Sequence, residues 1–391
     1  MYQTIILNVD ELWLKGKNRY LYYRALKEHV RYVVKQEHPG DSFSCRNESQ
    51  RLVLISDDQP FSNQTLERLT CVPGIFSIVP AKRLPLDLAA VVPALKEELK
   101  DPGQGKTMTF KVFTKRSDKS FPQNSMEISR LVGGYILKDF PWLKVDIHRP
   151  EIEVELRVHQ HALYLSTRKL TGVGGLPWGM SGHLVTMISG GFDSPVASYL
   201  MAKRGCRQSF IFFHAYPLVG DEVLDKIRRM VEYLARYQKG ATLYIIPFGD
   251  LQTKVSELIR LEYRTVVFRR LMIDCATKLA SAVSAQALLT GDSLGQVSSQ
   301  TIHNLALLDG GSTIPILRPL VGLNKMEIID WARKIGTHDI SLLPHDDACA
   351  MLSPKHPVIK PDVRYWQQFI EQNDFSQELD QCLAQATIIN Y

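Results

Sequence analysis

The sequence predicts an α/β protein of several domains that ends in a doubly wound parallel sheet, and three observations carry that prediction. The chain has 391 residues, 45% hydrophobic and 23% charged, which is ample apolar material for packed cores and too much length for one domain of ordinary size. Several stretches of the first half alternate apolar and polar residues with period two, the mark of half-buried strands. From His183 onward apolar strands and helical stretches follow one another regularly, as they do when helices cover both faces of a parallel sheet.

The first segment, residues 1–60, reads as strand TIILNV, a Lys/Arg/Tyr-rich helix from about Asn18 to Lys35 and strand RLVLIS, a small α+β unit. The second, residues 61–165, runs through the helical LAAVVPALKEELK, strand TMTFKVFTKR, helix SMEISRLVGGYILKDF and strands VDIHR, EIEVELRVH and HALYLSTRKL. Ile152, Val154, Leu156 and Val158 show the period-two alternation. Residues 166–182 include TGVGGLPWGMSG, with five glycines and one proline, and read as a linker. The third, residues 183–391, begins HLVTMI, PVASYLMAKRG, SFIFFHAY, DEVLDKIRRMVEYLARYQ and ATLYIIPF. A long helical stretch to about Ala285 and the strand ALLTGD follow. In such a sheet a ligand site belongs at the carboxyl ends of the strands.

Charge divides the chain. Residues 1–180 hold 26 Lys+Arg against 20 Asp+Glu, and residues 181–391 hold 21 of each, so all of the net +6 lies in the first half. Two readings stay open on charge alone, an ordinary solvated surface and a polyanion-binding module ahead of a neutral catalytic one. No run of 18 apolar residues occurs, and the start MYQTIILNVDELWLK lacks the basic head and apolar stretch of a signal peptide. Six cysteines at 45, 71, 206, 275, 349 and 382 form no C-x-x-C pair. A cytoplasmic protein with no membrane span and no metal site of its own is expected.

Ser189-Gly190-Gly191-Phe192-Asp193-Ser194-Pro195 lies between an apolar strand and a helix. Two glycines let backbone approach a phosphate, the serines offer hydroxyls, and Pro195 suits a first helical turn whose free N–H groups point at an anion. A Gly-rich strand-to-helix turn with an Asp/Ser cap is the plainer reading. No G-x-x-x-x-G-K-[ST] occurs, so the usual kinase or GTPase loop is not a competitor. A second polar loop, Thr290 to Thr301 (TGDSLGQVSSQT), follows the strand ALL and brings hydroxyls and amides to the same sheet edge, or merely caps a helix at Asp292 or Ser293.

The first loop resembles the S-G-G-x-D-S pyrophosphate loop of the ATP pyrophosphatase (PP-loop) families, which cleave ATP between the α- and β-phosphates. The second resembles the G-E-x-L-G-Q-V-x-S-Q-T string of the tRNA uridine 4-sulfurtransferases, the 4-thiouridine synthetases of the ThiI family, with Asp292 in place of the usual Glu. The resemblance covers nearly the whole chain. Glu11, Leu14-Lys15-Gly16 and Asn18-Arg19 are similar to the family's opening, Gly174-Gly175-Leu176-Pro177 and Ser189 to Ala197 to its middle, and Leu317-Arg318-Pro319-Leu320 with Ile335-Gly336-Thr337 to its later part. FTKRSDKSFPQNS followed by ISRLVGGYIL resembles a THUMP RNA-binding domain, and residues 1–60 resemble the ferredoxin-like domain ahead of it.

The resemblance implies ATP-dependent transfer of sulfur to the uridine at position 8 of tRNA. The C4 oxygen is first joined to AMP with release of pyrophosphate, because oxide is a poor leaving group, and a persulfide sulfur then attacks. By position in the family motifs, ATP contacts are Met187, Ile188, Ser189, Gly190, Gly191, Ser194, Phe212, Phe213, Arg269, Gly291 and Gln300, with Mg²⁺ accompanying the nucleotide. Asp193 is the expected catalytic carboxylate, as metal ligand or orienter, with helix capping its plain alternative; Arg269 would neutralise phosphate charge or else be a helix-surface arginine. Cys349 stands where the family carries its catalytic cysteine, either bearing the persulfide or resolving one held elsewhere. Two neighbouring aspartates would raise its thiol pKa, so its activation must come from another group. Cys206 and Cys275, in apolar contexts, read as inert buried thiols.

For RNA, Lys111, Lys115, Arg116 and Lys119 with Phe113 and Phe121 suit phosphate contacts and aromatic surfaces, and Lys15, Lys17 and Arg19 extend the patch; each is individually also ordinary solvated charge. The family implies tRNA as partner, a homodimer, and a cysteine desulfurase or other persulfide carrier as sulfur source. The sequence ends about forty residues after Cys349, so no rhodanese-like extension is expected, and thiamine-related sulfur transfer is left open. Two other functions remain, a different PP-loop adenylating RNA-modifying enzyme and a tRNA-binding protein with an inactive nucleotide fold.

Overall fold

The computed structural model describes residues 2–48, 51–103, 105–116, 121–217, 220, 222–310, 312–344, 354 and 356–391. Its chain divides into two compact units, Met1–Gly175 and Leu176–Tyr391. Among the described residues no helix is long and apolar enough to cross a membrane.

In the first unit the described strands form one sheet. In chain order the elements are β1 (Thr4–Val9), α1 (Arg19–Glu37), β2 (Phe43–Glu48), β3 (Arg51–Ser56), α2 (Asn63–Thr70), β4 (Ile75–Leu84), α3 (Val91–Lys96), β5 (Met108–Arg116), α4 (Ser125–Asp139), β6 (Leu143–Val145), β7 (Ile152–Val158), β8 (Leu163–Ser166) and β9 (Leu170–Thr171). The sheet order is β2-β3-β1-β4-β8-β7-β5-β6, with β9 against β4. A cut at residue 60 does not describe this arrangement. The helix α2 buries Thr65, Leu66 and Leu69, His38 Nε2 lies 2.7 Å from Thr65 Oγ1, and β4 pairs with β1 from Thr4↔Ala81 to Asn8↔Ser77. At its far end β4 pairs with β8, Lys82↔Leu165 to Leu84↔Leu163, so one strand serves both expected segments.

Local side-chain bonds explain the smaller differences. The strand expected over VDIHR stops at Val145, because the Asp146 carboxylate accepts from the backbone N–H groups of His148 and Arg149 at 2.8 and 3.0 Å and turns the chain. The run HALYLSTRKL breaks after Ser166, whose hydroxyl donates to Arg168 O. The expected linker is largely tied down. Gly172 N–H donates to Phe76 O and Gly174 N–H to Ile75 O, Gly175 N–H donates to the Asp10 carboxylate, and a Cβ on Gly172 would lie 2.2 Å from Ile75 O. Beyond it, Leu176 N–H donates to Lys203 O.

The second unit contains β10 (His183–Met187), α5 (Asp193–Lys203), β11 (Arg207–His214), α6 (Glu222–Ala235), β12 (Thr242–Pro247), α7 (Gly249–Leu258), α8 (Arg264–Ala282), β13 (Ala287–Leu289), α9 (Ile302–Asp309), β14 (Ile316–Leu317), α10 (Lys325–Ile335), α11 (His338–Leu342), α12 (Val363–Gln372), α13 (Ser376–Ala384) and β15 (Thr387–Asn390). The sheet order is β14-β13-β10-β11-β12-β15, parallel except for β15. Val185, Ile211, Ile246 and Leu288, all buried, form its centre. The stretch expected as one long helix to Ala285 is two, because Ile259 is extended and buried; the Arg264 guanidinium donates to Ser256 O across the break. Strand order runs outward from β10 through β11 and β12, then returns to the other side of β10 with β13. That reversal makes a topological switch point between the carboxyl ends of β10 and β13, where the two polar loops leave the sheet and a ligand is expected.

Candidate active site and RNA-facing surface

The chain leaves β10 at Met187, and Ile188 N–H donates to Ile211 O at 3.0 Å, so both residues stay on the sheet edge and present backbone there. The loop then closes on itself. Ser189 N–H donates to Ser194 Oγ at 2.9 Å and the two hydroxyls lie 3.0 Å apart. Ser194 is buried, so its hydroxyl shapes the loop around Gly190 and Gly191. Helix α5 begins immediately after, and no side chain caps its start, which leaves first-turn N–H groups directed out of the helix end.

The carboxylate of Asp193 stands at that helix start and does not cap it. It accepts from Lys325 Nζ at 2.8 and 3.0 Å and from Gln296 Nε2 at 3.0 Å, and the same Lys325 ammonium lies 5.6 Å from the centre of the Phe192 ring. Lys325 and Gln296 were not singled out from the sequence. Lys325 is the first residue of α10, which a capping box from Asn324 to Glu327 starts at that point, so the cation is delivered by a well-defined helix origin.

Behind the loop lies a buried carboxylate. Asp292 receives Arg269 Nη2, Arg318 Nε at 3.2 Å, Thr290 Oγ1 at 2.8 Å and Gln300 Nε2 at 3.3 Å. Burial alone would raise its pKa, but the adjacent Arg269 charge, the Thr290 hydroxyl and the Arg318 charge outweigh burial and hold the carboxyl below its ordinary range. Arg269 is therefore not a helix-surface arginine. Its guanidinium also donates to Ser299 O and Oγ at 3.2 and 3.1 Å, so Asp292 and Ser299 fix its plane toward the loop. The Gln300 and Gln296 amide oxygens, both buried, have no hydrogen-bond partner among the described residues.

Gly291 allows the two loops to meet. A Cβ there would lie 2.6 Å from Ser194 N and 2.8 Å from Asp193 C, so backbone packs on backbone between the TGDS stretch and the start of α5. Phe212 and Phe213 lie near the carboxyl end of β11; Phe212 is buried and Phe213 packs edge-on against Phe248 with ring centres 4.9 Å apart. Met187 to Ser194, Gly291, Gln300 and Arg269 thus come together at one edge of the sheet.

Cys349 lies outside the described residues, as does Lys119. Among the described cysteines, burial pushes the thiol of Cys206 up to about 11 and raises Cys45, Cys275 and Cys382, so these thiols are protonated at neutral pH.

In the first unit the expected basic patch is split by the pleat of β5. Lys111, Phe113 and Lys115 alternate onto one face, and Phe113 is exposed there. Arg116 falls on the other face, where its guanidinium donates to Phe121 O and Gln123 O at 3.0 and 2.5 Å. Lys115 is partly committed, 3.1 Å from a Glu155 carboxylate oxygen and 4.8 Å from the Phe113 ring centre. Near the chain start, Lys15 lies 5.1 Å from the Tyr22 ring centre and Arg19 donates to Trp13 O at 3.4 Å. Trp13 and Tyr20 beside them are 65% and 68% exposed, a pair of aromatic faces among cations that the sequence reading overlooked.

Comparison with known proteins shows which proteins the chain is similar to. Residues 179–375 match the family model described as thiamine biosynthesis protein (ThiI), residues 87–168 a THUMP domain and residues 4–79 the ThiI ferredoxin-like domain. A probable tRNA sulfurtransferase of Caldanaerobacter subterraneus subsp. tengcongensis is 37% identical over 380 residues, 97% of this chain and 98% of that protein. Another from Halothermothrix orenii is 36% identical over 92% of this chain and 91% of its own length. Among solved structures, a 4-thiouridine synthetase–RNA complex with bound ATP superposes with a TM-score of 0.88 at 29% identity, covering 100% of both chains.

Proposed function

The chain belongs to the ThiI family and is an ATP-dependent tRNA sulfurtransferase that makes 4-thiouridine; we propose that it acts on the uridine at position 8, in two half-reactions served by different residues. The observation that supports the first is the convergence of an open helix start, Asp193, Lys325 and the Asp292-held Arg269 on one sheet edge.

In the first half-reaction the uridine O4 attacks the α-phosphorus, the α–β bond breaks and pyrophosphate leaves. The amides of Gly190, Gly191 and the first turn of α5 receive the departing phosphates, whose growing charge Lys325 and Arg269 offset. Asp193 would hold a magnesium ion accompanying the nucleotide, which would supply further charge neutralisation. Backbone groups at Met187, Ile188, Phe212 and Phe213, with the Gly291 turn and Gln300, hold the nucleoside.

In the second, a persulfide sulfur attacks C4 and AMP leaves. If Cys349 carries the persulfide, a second thiol cleaves the S–S bond; if a carrier does, Cys349 attacks the carrier sulfur. Either way the product is 4-thiouridine plus a disulfide that a thiol reductant must reopen. The inert character of Cys45, Cys206, Cys275 and Cys382 supports assigning the step to Cys349. A cysteine desulfurase is the proposed source, and a homodimer the proposed assembly.

The experiment is incubation with unmodified tRNA, Mg-ATP, a cysteine desulfurase and cysteine, with nucleosides read by mass spectrometry. 4-Thiouridine at position 8 is the expected product. Cys349→Ser should still release AMP and pyrophosphate and yield no thionucleoside; normal product from it would remove Cys349 from the sulfur step.

A further inference from the structure

The helix α6 carries an amphipathic face of Val223, Ile227, Met230, Val231 and Leu234, all buried, and in the middle of that face stands a lysine. Lys226 is only 2% exposed, and burial lowers its pKa. A leucine or methionine would bury as well there without desolvating an ammonium, so apolar packing does not account for it. What the ammonium gains is specific: two of its donors meet Ser341 O and Leu343 O, each at 2.7 Å. These are carbonyls at the end of α11, where a helix leaves acceptors unsatisfied and favours a cation.

Two turns along the same face, Tyr233 donates its hydroxyl to Ile335 O at 2.8 Å, just ahead of the left-handed Gly336, where a Cβ would lie 2.2 Å from that hydroxyl. One rigid helix thus holds both ends of the segment Ile335–Leu343. The segment in turn touches the phosphate loop. Ser341 Oγ donates to Gly191 O at 3.2 Å and the His338 and Phe192 ring centres are 5.6 Å apart. From Leu343 the chain has six residues to Cys349, a span of at most about 20 Å.

We propose that Lys226 is a positioning residue for the sulfur-transfer half-reaction: it fixes the point from which the chain departs toward Cys349, relative to the loop where the adenylated uridine forms. The proposal rests on Cys349 taking part in sulfur transfer. Among the described residues its ammonium meets the Ser341 and Leu343 carbonyls and no donor of the phosphate loop, so the first half-reaction should proceed without it. Loss of the anchor should leave AMP formation in place and let the activated uridine be lost to water before sulfur reaches it.

The test uses the full chain with Lys226→Met, Lys226→Gln and Lys226→Arg, measuring AMP and 4-thiouridine in the same tRNA reactions alongside thermal melting. In Met and Gln variants that melt cooperatively, AMP should stay within about twofold of the parent while 4-thiouridine falls about tenfold or more, so the ratio of AMP to thionucleoside rises by that factor. Lys226→Arg, which keeps charge and donors, should return the ratio to within about threefold. Equal loss of both products, or an unchanged ratio, overturns the proposal. So does failure of both the Met and Gln variants to fold, since the ammonium would then serve the fold itself. Cys349→Ser run in parallel separates the two layers: if it makes normal thionucleoside, the sulfur-transfer reading fails rather than the role of Lys226.

Discussion

The crevice around Asp292 and the β5 surface of the first unit are both built on charge, and they use it in opposite ways. Asp292 is 3% exposed and among the described residues meets Arg269, Arg318, Thr290 and Gln300, so each charge there fixes the direction of another. Lys111 and Lys115 stand on a strand face beside an exposed Phe113, and among the described residues Lys115 is drawn onto Glu155. A buried charge is a piece of geometry; an exposed one is reach and attraction. Substitutions in the crevice should therefore act as all-or-none losses, and those on the strand as graded, salt-dependent ones.

The largest effect is expected at Asp193. Asp193→Ala removes the carboxylate that holds Lys325 and Gln296 at the start of α5, and AMP formation should fall by about 10³-fold, some 4 kcal/mol. Lys325→Met should approach the same loss. Because the two act as one unit, the double variant should be little worse than the worse single one in steady-state AMP release. Additive losses would mean that each meets the nucleotide independently and would break the picture of mutually fixed charges.

Next comes stability. Asp292→Asn leaves two guanidiniums facing a neutral amide, and removal of one member of a buried pair costs roughly 3–5 kcal/mol, read as a drop in the unfolding midpoint. The sign with pH follows from the depressed carboxyl pKa. Stabilisation by Asp292 is fully present above the unfolded carboxylate value of about 4 and is lost as pH falls through the lower folded value, so the gap between parent and variant should close only in strong acid. A gap that closes near neutrality would mean that another group carries the effect.

Gly291→Ala tests positioning with little change of charge. Its Cβ would press on Ser194 N and Asp193 C, forcing the two loops apart at the place where phosphate is received. AMP formation should drop about 10- to 100-fold, while the unfolding midpoint moves less than in Asp292→Asn. An Ala variant as active as the parent would mean that the loops can separate without loss.

How much of this could be read in the sequence differs between the two regions for the same reason. The phosphate loop and the TGDSLGQ stretch are contiguous strings because backbone and neighbouring side chains build them, so Asp193, Gly291 and Gln300 were legible at once. Lys325 and Arg318 enter from distant helices and loops, and only the fold brings them to Asp193 and Asp292. Arg269 was legible as a cation, but not its dependence on a buried carboxylate. On β5 the string KVFTKR gives residue types, and only the pleat reveals that Arg116 points away from Lys111 and Lys115 and bonds to the Phe121 and Gln123 carbonyls. A cut at residue 60 separates β1 from β4, with which it pairs, and the apolar pattern of β4, paired on both sides, carries no mark of a boundary.

The smallest effects should come from the strand, and they sharpen the comparison most. Lys111→Ala should weaken tRNA binding about threefold to tenfold and lower the slope of log affinity against log salt by roughly one, as loss of a single phosphate contact does. Lys115→Ala should cost less, because its ammonium already spends part of its attraction on Glu155 and on the Phe113 ring. Arg116→Ala should behave differently again, lowering stability through the lost bonds to Phe121 O and Gln123 O with little change in the salt slope. Filter binding across a salt series with melting curves on the same variants distinguishes the three. If Arg116→Ala changed the slope as Lys111→Ala does, its guanidinium would have to leave those carbonyls to meet RNA, and the division of the patch by the pleat would not govern binding.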